Sequence, residues 1–415
     1  MKSLTLVLFV FVTLHAKSQE MLTLDECYAR SESRYPLIRQ RDLLEKTGEY
    51  SIENATKGYL PRVSLGGQAT YQSAVTQIPV EMPGVEPLSK DQYRVFGEIA
   101  QTIFHGGLVS AQKQTEEVNR DVEESKLAVG LYALKSRINE LFLGILLLQE
   151  QTIQSELIKK DLNAALRKTE AAIANGTAIH SAADVLKAEA LRIEQRTIEM
   201  TAAGASYREV LGIFIDQRIP ENTVLEKPVF PGLRADINRP ELHLFDMQKI
   251  RIEAQRAVLA GGNKPRLELF VQGGYGRPGL NMLENAFDSY FLGGVRFSWL
   301  ISGYYTFRKE NEILSLRQQS LDVQKETFVF NTGLSLRQHE SEIAKFRRLM
   351  EVDDEIIALR IQVRRTAEAQ QEEGVISPAD FIREVNAEDQ AKQNRALHEI
   401  QLLMAQARYH LTSGQ

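Results

Sequence analysis

The sequence predicts a mainly α fold with a small β part, in which long antiparallel helical hairpins are broken by four strands. Three observations predict it. Two proline-free segments, 107–174 and 304–373, read as helix throughout, and at 1.5 Å per residue each would reach about 100 Å. Four short stretches alternate apolar and polar side chains with period two, the mark of a strand. The order helix, strand, strand, long helix, return helix is written twice along the chain.

The chain has 415 residues, 43% apolar and 25% charged, with a net charge of −5. That is enough for one large domain or two to three ordinary ones, and it lacks the basic footprint of a nucleic-acid binder. Residues 1–19 read as a secretory signal peptide: Lys2 precedes an apolar run over 4–14, with small or polar residues after it. That run falls short of the ~20 residues a helical span needs. The single cysteine, Cys27, has no partner for an intramolecular disulfide, and the LTLDEC before it is not a lipid-attachment box. The most apolar helical stretch, from Leu127, carries Lys135, Arg137 and Glu140, which suits a packed helix. A chain of this kind that enters a membrane does so as strands.

The elements follow in order. A helix over about 24–57 leads to GYLPRVSLGGQATY, where Pro61 opens the first strand. Val63, Leu65, Gly67, Ala69 and Tyr71 share one face; Arg62, Ser64, Gly66, Gln68 and Thr70 share the other. In the second copy, NKPRLELFVQGGYG, Pro265 and Tyr275 repeat Pro61 and Tyr71 at one constant offset. The partner strands are YRVFGEIAQTIF and SYFLGGVRFSWL. The second turns Phe291, Val295, Phe297 and Trp299 outward, with Arg296 and Ser298 opposite. Gly106 and Gly303 punctuate the two strand ends before the long helices. Those helices end at ANGTAIHSAAD and EEGVISPAD, where Gly176 and Gly374 suit helix C-caps. Asp184 and Asp380 follow near the start of each return helix, over 182–215 and 378–411, where an acid favours the dipole. The expected organisation is a first repeat over 20–215, a Pro- and Gly-rich linker or equatorial segment over 216–238, and a second repeat over 239–415.

Each strand has about ten residues, the length that crosses a bilayer when tilted. One face is apolar, and the other carries Arg62, Arg94, Glu98, Arg266, Glu268 and Arg296. Aromatics near the strand ends, Tyr71, Tyr275, Phe297 and Trp299, suit an interfacial belt. A small soluble sheet with one wet face has the same composition, but export without a membrane helix favours a barrel. Four strands cannot close, and open edges are not tolerated in lipid. Three chains would supply twelve strands.

The signal peptide, LTLDECYARSESRYP, the two proline-opened strands, the two glycine punctuations and the two tip turns together resemble the TolC family of outer membrane efflux proteins. The likeness runs through nearly the whole mature chain, twice. It implies a homotrimer whose twelve-stranded barrel continues into a periplasmic α-barrel. It implies a passive exit duct in the outer membrane of a Gram-negative bacterium, docked to a periplasmic adaptor and an inner-membrane transporter of RND or ABC type. It also implies acids lining the entrance just after the second tip glycine, by position Asp380, with Glu384 nearby. Two departures weaken a cation-selective ring. The first tip is two residues longer between Gly176 and Asp184 than the second between Gly374 and Asp380, and Arg383 stands where some members carry a second acid. Asp380 also follows Ser377 and Pro378, so it reads equally as a helix-start acid.

No catalytic, metal or cofactor-binding residues are expected. GYGRPG from Gly274 fits GxGxxG, but Pro278 and Gly279 open a loop where a dinucleotide site needs a helix. HESE at His339 has no second histidine one turn away. The rival to a duct is a soluble periplasmic coiled-coil adaptor or scaffold. Adaptors combine one helical hairpin with compact β domains, whereas this sequence doubles its helices and keeps only four long amphipathic strands.

Overall fold

A computed structural model describes residues 21–76 and 86–415. The expected signal peptide, and residues 77–85 of the first strand-connecting loop, lie outside the described residues. In chain order the elements are β1 (Met21–Leu22), α1 (Leu24–Arg34), α2 (Gln40–Thr56), β2 (Arg62–Tyr71), β3 (Asp91–Phe104), α3 (Leu108–Tyr132), α4 (Leu134–Ala174), α5 (His180–Ile215), β4 (Val224–Leu225), α6 (Pro240–Gly262), β5 (Arg266–Arg277), β6 (Asp288–Ser298), α7 (Tyr304–Glu372) and α8 (Pro378–Ser413). The mainly α fold with four long strands is the predicted one, and α7 alone runs 69 residues.

Two helices differ from expectation. The segment over 24–57 is not one helix: Tyr35 turns extended and Pro36 opens a short 3₁₀ turn before α2. Proline has no N–H to donate and pushes its predecessor out of helical geometry. The first long helix is two segments, α3 and α4, that meet at Ala133, whose dihedrals stay helical (φ −61°, ψ −22°). The parallel pair of β1 and β4, each two residues long, was not expected either; pairs this short leave no period to detect.

Contacts divide the chain into two units, each drawing on both sequence halves. One holds Met1–Ile38, Gly130–Arg239 and Val329–Gln415; the other holds Arg39–Val129 and Pro240–Phe328. In the first unit, α1 starts on a capping box: the Thr23 hydroxyl accepts from the Glu26 N–H at 3.2 Å while the Glu26 carboxylate accepts from the Thr23 N–H. Its largest core joins Cys27 of α1, Ile138, Phe142 and Ile145 of α4, Leu211 of α5 and Ile400 of α8. Each such aliphatic or aromatic side chain stabilises the fold by roughly 1.5–3 kcal/mol. A second core joins Leu162, Leu186, Ile193, Phe381 and Val385. The 216–238 segment is tied down from several sides. Lys227 Nζ reaches Glu150 of α4 and Glu399 of α8, both at 3.0 Å. The Tyr409 hydroxyl donates to the Arg234 carbonyl at 3.0 Å.

In the second unit, β2, β3, β5 and β6 form one antiparallel sheet in that order. The helices beside it are joined by charge: Lys249 of α6 pairs with Asp322 of α7 at 2.5 Å, and Lys325 of α7 pairs with Asp246 of α6 at 2.7 Å.

Candidate membrane face and entrance turns

Pro61 and Pro265 each stand one residue before a strand, where a missing N–H costs no ladder bond. The register then aligns the alternation across all four strands. Val63 faces Ile99, Ile99 faces Val271, and Val271 faces Gly293. One face is therefore apolar from edge to edge, and it is bare: Leu65 is 83% exposed and Phe291 81%. Among the described residues no helix covers these side chains, although a water-facing fold would bury them.

The opposite face carries a charge network that spans the sheet. The Arg296 guanidinium of β6 grips Glu98 of β3 through two hydrogen bonds of 3.0 Å and donates to Glu268 of β5 at 3.2 Å. Glu268 also pairs with Arg62 of β2. The Arg296 guanidinium lies 4.4 Å from the Phe270 ring centre. The predicted charged face is real, and four of its six charges pair with one another. Across β2, β3, β5 and β6 the four run Arg62, Glu98, Glu268, Arg296, two acids on the inner strands held between arginines of the outer ones, a signal visible in sequence only once the register is known.

Aromatics sit at both ends of the apolar face. At the loop end, Tyr275 stacks on Phe287 with ring centres 5.6 Å apart, and Tyr71 is exposed. At the helix end, the Trp299 indole N–H donates to the Asn263 carbonyl at 3.0 Å and the ring meets Tyr304 edge-on. Trp299 lies one residue beyond the end of β6. Along β5, Leu267 to Tyr275 covers about 27 Å at ~3.4 Å per residue, close to the ~25 Å apolar band of a membrane barrel. The outer edges of β2 and β6 have no strand partner among the described residues.

The tip turns lie in the first unit. Gly176 and Gly374 take φ of 77° and 72°, the left-handed values that close a helix at little cost to glycine. The two turns share the walls of one cavity of about 620 Å³, with Thr177 and Ile179 from one side and Gly374 and Ile376 from the other. Asp184 is exposed on the first turns of α5. Ser377 caps α8: its hydroxyl accepts from the N–H of Asp380, in the first turn, at 3.2 Å and donates to the Asp380 carboxylate at 2.7 Å. Arg383 donates to the same carboxylate at 3.0 Å. The Ser377 hydrogen bonds, helped by the Arg383 charge, hold the Asp380 carboxyl below its ordinary range. Glu384 pairs with Arg360 of α7 at 3.3 Å. Both candidate entrance acids thus have cationic partners within their own chain.

Sequence reasoning missed the charges that brace the two hairpins. Arg196 of α5 reaches Asp389 of α8 at 3.2 Å and also Gln393. Arg364 of α7 donates to Glu388 of α8 at 2.6 Å, and Lys392 pairs with Glu388 at 2.5 Å. Lys168 of α4 pairs with Glu372 of α7. Glu388 and Asp389 are each only 5% exposed. The clue lay on α8, where an apolar ladder of Phe381 and Val385 continues one turn later with acids.

No protein-family model matches the sequence, and no curated protein matches it at a significant level. Solved structures do match in fold over 94% of the chain. The outer-membrane channel OprN aligns with a TM-score of 0.68 at 13% identity, over 89% of its own chain. The outer membrane protein VceC of Vibrio cholerae aligns at 0.67 and 12%, over 96% of its chain. The open state of the MtrE outer membrane channel of Neisseria gonorrhoeae aligns at 0.65 and 13%, over 88%. At such identities the likeness is one of fold, and the fold is the TolC-like one that the sequence resemblance implied.

Proposed function

We propose that three copies of this chain form a passive exit duct in the outer membrane of a Gram-negative bacterium. The observation that carries the reading is the sheet: apolar and bare on one face from edge to edge, ion-paired and polar on the other, and open at β2 and β6. A face of that kind is stable against lipid, and open edges in lipid must be paired. Pairing β6 of one copy with β2 of the next closes a twelve-stranded barrel whose wet face lines the lumen. The likeness to solved outer-membrane channels supports the same reading.

The duct performs no chemistry. Its periplasmic helices would conduct substrate delivered by an inner-membrane transporter of RND or ABC type through an adaptor. The tip turns at Gly176–Asp184 and Gly374–Glu384 would form the entrance. The braces of Arg196, Arg364 and Lys168 would hold it shut until the hairpins shift past each other. Because Asp380 and Glu384 are already paired, the idle entrance would be closed by matched charges rather than by a ring of free acids.

Membrane fractionation and planar-bilayer recording test the proposal. The expected result is a trimer in the outer membrane that gives discrete channel events when purified. A soluble periplasmic monomer without conductance would overturn it and favour the adaptor or scaffold alternative.

A further inference from the structure

Away from the sheet and the tips, one charged side chain is buried without a counter-ion. Arg208 on α5 is 8% exposed, and its Nε has no hydrogen-bond partner. It forms no ion pair within 4.0 Å among the described residues. Burial pulls its pKa below the ordinary guanidinium value, with only the more distant Glu221 acting the other way. An unpaired buried guanidinium is costly, and a site that keeps one is poised for an anion.

The surroundings say which anion. Arg208 and Glu221 line two cavities in common, one of about 820 Å³ and one of about 380 Å³. The larger is a groove along one face of the end of α5, from Ala205 to Asp216, closed by the loop through Pro220. Gly204 leaves room for the guanidinium, since a Cβ there would stand 3.3 Å from its Nη1. The groove is not simply basic. Its ionisable groups are Arg208 and Arg218 against Glu209, Asp216 and Glu221. Asp216 pairs outward with Arg34 at 3.8 Å. That leaves two guanidiniums facing two carboxylates, Glu209 and Glu221. A simple anion would gain Arg208 and be repelled by both acids. A ligand carrying a carboxylate and an ammonium a few bonds apart would satisfy both signs. Ile213, Ile219 and Pro220 give the groove an apolar wall for small aliphatic side chains.

We propose that this groove binds an amphoteric amino-carboxylate, an amino acid or short peptide with free termini, with its carboxylate on Arg208 and its ammonium on Glu209 and Glu221. Both carboxylates are exposed, so the ammonium half of the site can be altered without disturbing a core.

Isothermal titration of the full-length, detergent-solubilised protein with dialanine tests this. Saturable binding is expected, weakened at least about tenfold by Arg208→Met, the scale of a lost charge-assisted hydrogen bond. N-acetyl-dialanine, which lacks the ammonium, should bind several-fold more weakly than dialanine. The double variant Glu209→Gln/Glu221→Gln should lose the same factor and stop distinguishing the two peptides. That second arm decides the matter if size-exclusion shows that Arg208→Met does not fold. Absence of saturable binding, equal affinity in Arg208→Met, or inorganic phosphate binding as tightly as dialanine would overturn the proposal.

Discussion

The sheet of the second unit and the helix core of the first solve opposite problems with the same residue types. In the helices, Phe142 and Ile193 are 0% and 1% exposed. In the sheet, Leu65 and Phe291 are 83% and 81% exposed. Charges show the reverse arrangement. On the sheet they cluster on the face away from the aliphatics, and four of them neutralise one another. Between the helices, Glu388 and Asp389 are buried within the packing itself and held by Arg364, Lys392 and Arg196. The difference teaches that burial is defined by the solvent. A leucine bare in isolation is buried once lipid surrounds it, whereas the helices must bury theirs against each other.

Breaking each region separately sharpens the contrast. The largest effect is expected in the helix core, where Phe142→Ala should cost about 3–5 kcal/mol of stability, read as a lowered denaturation midpoint of the purified protein. On the sheet, Val271→Arg places a charge on the apolar face and should cost about 2–4 kcal/mol of membrane insertion. The neighbouring Gln272→Arg, on the wet face, should insert normally; equal losses of outer-membrane yield in both would refute the two-faced assignment.

At the proposed entrance, Arg196→Met leaves Asp389 buried without its cation. Its mean single-channel conductance should rise while the trimer band persists in gels; unchanged conductance would remove this brace from the gate. The smallest effect belongs to Asp380. Its carboxyl is held below its ordinary range, so its stabilising contribution is fully present above the unfolded value near 4 and is lost only as pH falls through the depressed folded value. Asp380→Asn should therefore leave the pH dependence of conductance between pH 5 and 8 unchanged. A loss of cation selectivity in that window would restore the acid-ring role to this residue.

Much of the fold was legible. Pro61 and Pro265 marked two strand starts to the residue, because proline acts locally and in sequence order. Gly176 and Gly374 marked the two tip turns for the same reason. Pro36 is the instructive failure: it breaks the first helix by the same chemistry, although one helix was expected to run through it. Of the candidate entrance residues, Asp380 could be placed on its cap from Ser377 three positions earlier. Its shielding by Arg383, and the tie between Glu384 and Arg360, depend on rotamers and on a neighbouring helix.

Alone, the sequence determined what is written with a period or a punctuation mark: helices by length and absence of proline, strands by alternation, turns by glycine, and the doubling by the same order of elements written twice. These are properties of residues a few positions apart, and local sterics enforce them. Only the tertiary structure decided which charges meet. Arg196 and Asp389, and Arg296 and Glu98, are far apart in sequence. Their pairing depends on register and helix packing, which are set by the burial of the whole chain at once.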